Sequence, residues 1–275
     1  MPVHDYKDIG LFDGKSGFLG AIGKIGRALY QIKDLDERFR AFAEDRAYNV
    51  GSDYTALPSS DLGHYVFRIE KPRVPNREWG VLVGEVVHNL RSALDQAVYA
   101  ASVSPSRDNE FPVCRDPDDW DRRSSKLLKG VPPSAVKIIR SAQPFRQRDV
   151  ERHEFLLLHG MWNHDKHRLL HTTALVVGEP RPQVVPLADV GEIVQVEWLS
   201  EPLEERREVA RVTIRPSGAN PKMTLEGRLP VGVAFAEGVE GAPALKGLHV
   251  LAVLENAFRV VRSVVGSLEV ACLKV

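Results

Sequence analysis

Two polar blocks at helical spacing hold the residues of this chain whose types could do chemistry. The first covers residues 88–95 and contains His88, Arg91 and Asp95. The second lies within residues 152–168 and contains Arg152, His159, Asn163, Asp165, Lys166, His167 and Arg168. Imidazoles transfer protons near neutral pH, while guanidinium and ammonium groups stabilise developing negative charge. These residue types are therefore typical of an acid–base site for an anionic substrate.

Helical periodicity predicts how the two blocks are positioned. A helix over 78–102 would place His88, Arg91 and Asp95 along one flank of its apolar stripe, at spacings of three and four. In a helix over 149–168, one narrow sector would hold Arg152, His159, Asn163 and Lys166. Polar groups beside apolar residues become partly buried and need partners. We therefore expect the two flanks to face each other and to form one cluster.

Two interpretations of such a cluster stay open. In the structural one, Asp95 pairs with Arg91 or Arg168, and His88 and Asn163 cap loop carbonyls, because buried ion and amide networks are common in helical bundles. In the catalytic one, a histidine transfers protons and an arginine or lysine stabilises charge, as cleavage of a phosphodiester requires. Each interpretation predicts convergence of the same side chains.

A metal site is a further alternative on the second block. His164, His167 and His171 are spaced by three and four, and Asp165 is near them, which is a spacing that zinc accepts. However, the His-Glu-Xaa-Xaa-His pattern is absent from the sequence, and Lys166 and Arg168 would repel a cation. We therefore predict neither a metal nor a cofactor.

The pair of motifs resembles a group of uncharacterised bacterial and phage proteins. These proteins combine a helix of the His-Asn-Leu-Arg-Ser-Ala-Leu-Asp type with an Asn-Xaa-Asp-Lys-His-Arg segment, as found here at residues 88–95 and 163–168. The two motifs cover a small part of the chain. The resemblance implies no particular activity.

A looser resemblance is to the HEPN superfamily of helical bundles, many of which are metal-independent endoribonucleases. The HEPN signature is an arginine and a polar residue followed, after four to six residues, by a histidine, and here Arg152, His153 and His159 have this spacing. The resemblance implies that His159 is the general acid/base and that Arg152 binds phosphate. Asn163 and Lys166 are further candidate catalytic residues, because they share the predicted helical sector with His159. The HEPN resemblance also implies an RNA substrate, a homodimer and a role as a toxin or in phage defence. The long β-rich segment of this chain departs from the compact HEPN fold.

Composition limits the class of protein. The 275 residues are 43% hydrophobic and 27% charged with a formal net charge of +0, which argues against a strongly basic nucleic-acid-binding surface. The two isolated cysteines, Cys114 and Cys272, provide no disulfide framework. Residues 1–8 lack the pattern of a signal peptide, and charges interrupt the apolar stretch 245–275. We therefore predict a cytoplasmic protein without a membrane span.

The order of the patterns predicts an α+β fold. Helical periodicity covers residues 18–47, 78–102, about 133–142, 149–168 and 245–273, while residues 54–70 predict a strand or hairpin and 103–133 a long loop with one turn near Trp120. Short β-branched runs over 169–236 predict an antiparallel sheet. We expect a single domain over 1–275: a helical bundle (18–168 and 245–273) with an inserted antiparallel β-sheet (169–236) and a long C-terminal helix.

Overall fold

The computed structural model describes residues 17–45, 48–176, 181–199 and 204–273, and the prediction about residues 1–8 lies outside them. Within these ranges the fold is α+β, as the sequence predicts, with a long helix near the C-terminus. The helices are α1 (Leu19–Glu44), α2 (Glu78–Ala101), α3 (Pro117–Leu127), α4 (Pro133–Ser141), α5 (Glu154–Asp165) and α6 (Val250–Leu273). The strands are β1 (Asn49–Ala56), β2 (Gly63–Glu70), β3 (Thr172–Val176), β4 (Gln183–Ala188), β5 (Val190–Trp198), β6 (Glu208–Pro216), β7 (Lys222–Glu226) and β8 (Val231–Phe235).

The chain divides into two compact units. The helical unit holds the described residues up to Asp36, residues 77–171, and those from Phe235 onward. The strand-rich unit holds residues 37–76 and 172–234, so it includes the first hairpin as well as the predicted insert. That the whole chain is one domain stays a prediction.

Amphipathic helices form the core of the helical unit. Buried apolar residues recur every three or four positions along α2, from Val83 through Leu90 and Leu94 to Ala101, and this stripe packs against α5 and α6. Helix α6 has a matching stripe that includes Leu254, Val261 and Leu268 at intervals of seven. In the described part of the chain, no helix has an apolar stretch long enough to span a bilayer.

The described residues of the strand-rich unit form three small sheets rather than the single predicted sheet. The largest has four antiparallel strands in the order β1-β2-β6-β5, and the other two pair β3 with β8 and β4 with β7. Alternate residues of β6 (Ala210, Val212 and Ile214) are buried, which is the pattern of a sheet with one covered face. The hairpin predicted over 54–70 is therefore part of the same sheet as the later strands.

Three predicted boundaries are wrong. The predicted long loop over 103–133 contains the helix α3, which begins where the Asp116 side chain accepts a hydrogen bond from the Asp119 N–H. The helix predicted over 149–168 begins only at Glu154, because the His153 ring accepts from the Phe155 N–H and caps the first turn. The last helix begins at Val250 rather than at 245, after a short 3-10 turn.

Candidate functional site

Two glycines of α2 bring the end of α5 against the α2 backbone. A methyl group on Gly80 would overlap the backbone carbonyl of Leu170, and one on Gly84 would overlap the carboxylate of Asp165. Glycine within a helix destabilises it by roughly 1 kcal/mol relative to alanine, so close approach is the physical reason for glycine here. The approach sets the Asp165 carboxylate one turn of α2 away from His88.

An open groove of about 640 Å³ lies over this crossing, and we call it the polar groove. Its floor comes from α2, one wall from α1, and the other wall from the end of α5 and the turn that follows. The lining residues are Arg27, Gln31, Val81, Gly84, Glu85, His88, Asn89, Asp165, His167, Arg168 and Leu169. Four predicted site residues, His88, Asp165, His167 and Arg168, are thus brought together in one place.

His88 and Asp165 interact electrostatically in the polar groove. Burial raises the pKa of the Asp165 carboxyl, and the charges of His88 and His164 act in the opposite direction. The His88 side chain is exposed, and its Nε2 lies 3.4 Å from the hydroxyl oxygen of Ser92. An exposed imidazole in an open groove can exchange a proton with a ligand.

A chain of hydrogen bonds fixes the wall between α1 and α2. Lys24 Nζ donates to Asn89 Oδ1 over 3.1 Å, and Asn89 Nδ2 donates to Gln31 Oε1 over 2.8 Å. Gln31 Nε2 in turn donates to Glu85 Oε2 over 2.6 Å. Each amide therefore has its orientation set by a neighbour.

A second polar centre, which we call the Arg91 network, consists of Arg91, Asp95, Glu110 and the backbone of Phe111. Arg91 is 1% exposed; its Nη1 donates to the Phe111 carbonyl over 2.9 Å and its Nη2 to Glu110 Oε1 over 2.6 Å. Asp95 Oδ1 lies 3.0 Å from Arg91 Nη2 and accepts from the Phe111 N–H over 2.9 Å. The network ties the segment before α3 to α2, and it contains the Asp95–Arg91 pair of the structural interpretation.

The carboxyl group of Asp95 is unusually hard to ionise. Burial raises its pKa to about 6, and the negative charge of Glu110 acts in the same direction. Arg91 and the Phe111 N–H lower the pKa but do not offset burial. One guanidinium serves two carboxylates here, so Asp95 shares the positive charge of Arg91 with Glu110.

His159 lies on α5, half-buried, and is held in its neutral form. Burial lowers its pKa to about 4, and the positive charges of Arg91 and Arg123 act in the same direction. Its Nε2 is 3.1 Å from the amide nitrogen of Asn163, while its buried Nδ1 has no hydrogen-bond partner among the described residues. At neutral pH the protonated form that a general acid needs is scarce.

Two cations approach the ring of Trp162 in this second centre. Lys166 Nζ is 3.1 Å from the centre of its ring, and Arg91 Cζ is 5.2 Å from it. Lys166 Nζ also lies 3.5 Å from Asn163 Oδ1. Lys166 is exposed but is occupied by these local contacts, which are typical of a stabilising cation–π arrangement.

Arg152 is not in the position that the sequence predicted. It lies before the first residue of α5 and is exposed. Because His153 caps the helix after it, Arg152 does not share a helical face with His159. Its backbone N–H donates to Asp149 Oδ1 over 3.3 Å, within a turn. The charges that act on His159 come instead from Arg91, Arg123, Glu110 and Lys166.

The predicted single cluster is therefore divided into two. His88, Asp165, His167 and Arg168 line the polar groove. Asp95 belongs to the Arg91 network. The charge of Arg91 acts on His159 and the charge of Lys166 acts on Asp95, while the Asn163 amide contacts His159 Nε2. His159, Asn163 and Lys166 therefore belong with the Arg91 network. The physical reason is helix geometry: residues on one flank of α2 meet different parts of α5 as the two helices cross.

The histidines that could form a metal site are not arranged as ligands in the described part of the chain. No group of three or more His, Cys, Asp or Glu side chains there is placed to hold a metal ion. His164, His167 and His171 do not form such a group, although they are close in sequence.

Charged and amide residues without a predicted role also contribute to these centres. Arg27, Gln31 and Glu85 line the polar groove, and Glu110 completes the Arg91 network. The spacing of four between Arg27 and Gln31 places them on one face of α1, which is a usable signal. Glu110 lies in an irregular segment without periodicity and offers no such signal.

Comparisons of the chain with models of protein families, with curated proteins and with solved structures found no match.

Proposed function

We propose that the protein is a metal-independent endoribonuclease whose reaction takes place in the polar groove. The observation that supports this is one open groove lined by two imidazoles and two guanidiniums, with a carboxylate beside one imidazole. These groups are the ones that cleavage of RNA through its own 2′-hydroxyl requires. The proposal keeps the activity that the HEPN resemblance implies and changes the residues that carry it out.

Each step of the reaction has a group in the groove. His88 takes the proton of the 2′-hydroxyl, and Asp165 stabilises the imidazolium that forms. The 2′-oxygen attacks the adjacent phosphorus, and the bond from phosphorus to the 5′-oxygen breaks. His167 donates a proton to that leaving oxygen, while Arg27 and Arg168 neutralise the charge of the phosphorane. The products are a 2′,3′-cyclic phosphate and a 5′-hydroxyl.

This assignment replaces His159 and Arg152 as the reacting pair. His159 has a pKa of about 4 and is already bonded at Nε2, so it is a weak base and a scarce acid at neutral pH. Arg152 lies outside α5, in the turn before it. All the groups of the revised site come from one chain, so the proposal does not require the homodimer. RNA as substrate, the homodimer, cytoplasmic location and a role in phage defence are predictions.

The test compares two histidine variants on one RNA. Purified protein is incubated with a fluorescently labelled RNA oligonucleotide in EDTA, and the single-turnover rate of cleavage is measured. We expect His88→Ala to slow cleavage by about 100-fold or more, as loss of a general base does. The matched control is His171→Ala, an exposed histidine that does not line the groove, and its rate should equal that of the wild type. Absence of cleavage by the wild type, or equal rates for both variants, would refute the proposal.

A second candidate is a binding or scaffold protein in which the two polar motifs only stabilise the fold. The observation that favours it is the Arg91 network. Its buried guanidinium donates hydrogen bonds to Glu110 and to the Phe111 backbone and does not face an open groove. In that case, substitutions in both motifs should lower stability and affect no reaction.

A further inference from the structure

Glu85 lies on the floor of the polar groove, on the same face of α2 as His88. The two residues are three positions apart, so their side chains are neighbours along the helix. A ligand whose phosphate lies at His88 therefore has its adjacent sugar and base within reach of Glu85. The side chain of Glu85 is exposed and faces solvent rather than the core.

The carboxylate of Glu85 is held in a fixed orientation. Gln31 Nε2 donates to Oε2 over 2.6 Å, and Gln31 is itself 5% exposed and held by Asn89. Among the described residues, Gln31 provides the one hydrogen bond that the Glu85 carboxylate accepts. The carboxylate therefore keeps acceptor capacity for a ligand, because each oxygen can accept more than one hydrogen bond.

Apolar surface lies next to this acceptor. Val81 is one turn before Glu85 on α2 and is 52% exposed, and Leu169 lines the same end of the groove. The flat face of a nucleobase can pack on such a surface, whereas a sugar or phosphate gains nothing from it. The groove thus has an apolar end with a fixed carboxylate beside it, followed by the imidazoles and guanidiniums.

We propose that Glu85 selects guanine as the base on the 5′ side of the scissile phosphate. The inference deepens the proposed RNA cleavage and rests on it. The Watson–Crick edge of guanine presents two adjacent donors, N1–H and N2–H, which match the acceptors of a carboxylate. Adenine and cytosine present one donor beside an acceptor nitrogen, and uracil presents one donor between two carbonyl oxygens. A carboxylate therefore bonds guanine twice and meets an acceptor on every other base.

Cleavage-site mapping tests this selection. The substrate is a labelled single-stranded RNA in which the four bases occur equally often, and the products of the wild type and of Glu85→Gln are resolved by length. We expect the wild type to cut after guanine more than about tenfold faster than after the other bases, as a two-bond contact predicts. Glu85→Gln should abolish the preference, so that the rates after the four bases become equal. The matched control is Glu255→Gln on α6, an exposed glutamate away from the groove.

The outcomes separate this inference from the function on which it rests. Equal cleavage after all four bases, or a Glu85→Gln variant that slows every site equally, overturns the guanine selection and leaves RNA cleavage standing. If the wild type cuts no site, the proposed function and the selection both fail. If Glu255→Gln changes the base preference as much as Glu85→Gln does, the assignment to Glu85 is wrong.

Discussion

Asp95 and His159 lie on two helices that pack together, and burial shifts their pKa values in opposite directions. The pKa of the Asp95 carboxyl is raised from 3.8 to about 6, so its protonated form stabilises the fold at low pH and this contribution is lost as pH rises through 6. The pKa of the His159 imidazole is lowered from 6.5 to about 4, so its contribution is present above 6.5 and is lost as pH falls through 4. The two residues therefore oppose each other across the same pH range.

Single substitutions of Asp95 and His159 should reveal their opposite contributions to the pH dependence of stability. The free energy of unfolding in urea is measured at about pH 7 and about pH 4.5, and the change for each variant is compared with that of the wild type. Relative to wild type, His159→Gln should gain about 2 kcal/mol on acidification, because the loss from His159 is removed. Asp95→Asn should lose about 2 kcal/mol, because the gain from Asp95 is removed. Variants that both follow the wild type within about 0.5 kcal/mol would contradict these pKa values.

The types of site residues could be predicted from the sequence, but their grouping could not. His88, Asp165, His167 and Arg168 stand out because polar residues lie beside apolar positions of helical periodicity. Whether His159 shares a pocket with His88 depends on the crossing of two helices, which no local pattern specifies. The HEPN-type spacing also depends on Arg152 being helical, and the His153 cap removes that condition.

At the scale of elements, Arg91 fastens the segment before α3 to α2. Removal of its guanidinium would leave the Phe111 carbonyl without this donor, and it would leave the Asp95 carboxylate with the Phe111 N–H but no neighbouring positive charge from α2, in a largely buried setting. We expect Arg91→Met to lower the free energy of unfolding by about 3 kcal/mol, since an unpaired buried charge is strongly destabilising. Urea unfolding at neutral pH measures this change.

The matched control for that substitution is Arg122→Met on α3. The Arg122 side chain is 74% exposed and pairs with Asp119, and an exposed ion pair contributes at most about 1 kcal/mol. Equal losses for the two variants would mean that the Arg91 network has no special structural role. A large loss at Arg91 together with normal RNA cleavage in the folded fraction would place the network outside the reaction.

Elements with a strong apolar period were predicted well, and polar elements were not. Helix α2 was predicted within one residue at its end, because its stripe of Val, Leu and Ala is continuous. Helix α3 was missed because Trp120 is its one buried residue, and polar residues fill most of its other positions. Its Asp116 cap followed by Pro117 was a usable signal that periodicity alone does not detect.

At the scale of the whole molecule, the fold class follows from local patterns, and the polar groove does not. Helical and alternating periods mark which segments become helices or strands, so the α+β class is predictable. The groove joins Arg27 and Gln31 of α1 to residues of α2 and to Arg168 beyond α5, which are far apart in sequence. Contacts of that range depend on packing, and a single sequence contains no direct signal for them.

The balance of charge fits a local site better than a long nucleic-acid-binding surface. Lys and Arg together number 37, as do Asp and Glu, so the chain has no overall attraction for a polyanion. Binding of RNA would then depend on the few cations that line the groove, Arg27 and Arg168. The proposed reaction accordingly needs contact with one phosphate and the adjacent base, rather than with a long stretch of backbone.

The chemical nature of the RNA ends tests the central claim most directly. An RNA oligonucleotide is digested in EDTA, and the products are analysed by mass spectrometry beside a copy in which every sugar carries a 2′-O-methyl group. Proton abstraction by His88 from the 2′-hydroxyl predicts 2′,3′-cyclic phosphate and 5′-hydroxyl ends, and no cleavage of the methylated copy. Ends with a 5′-phosphate, cleavage of the methylated RNA, or intact RNA in both samples would contradict the account.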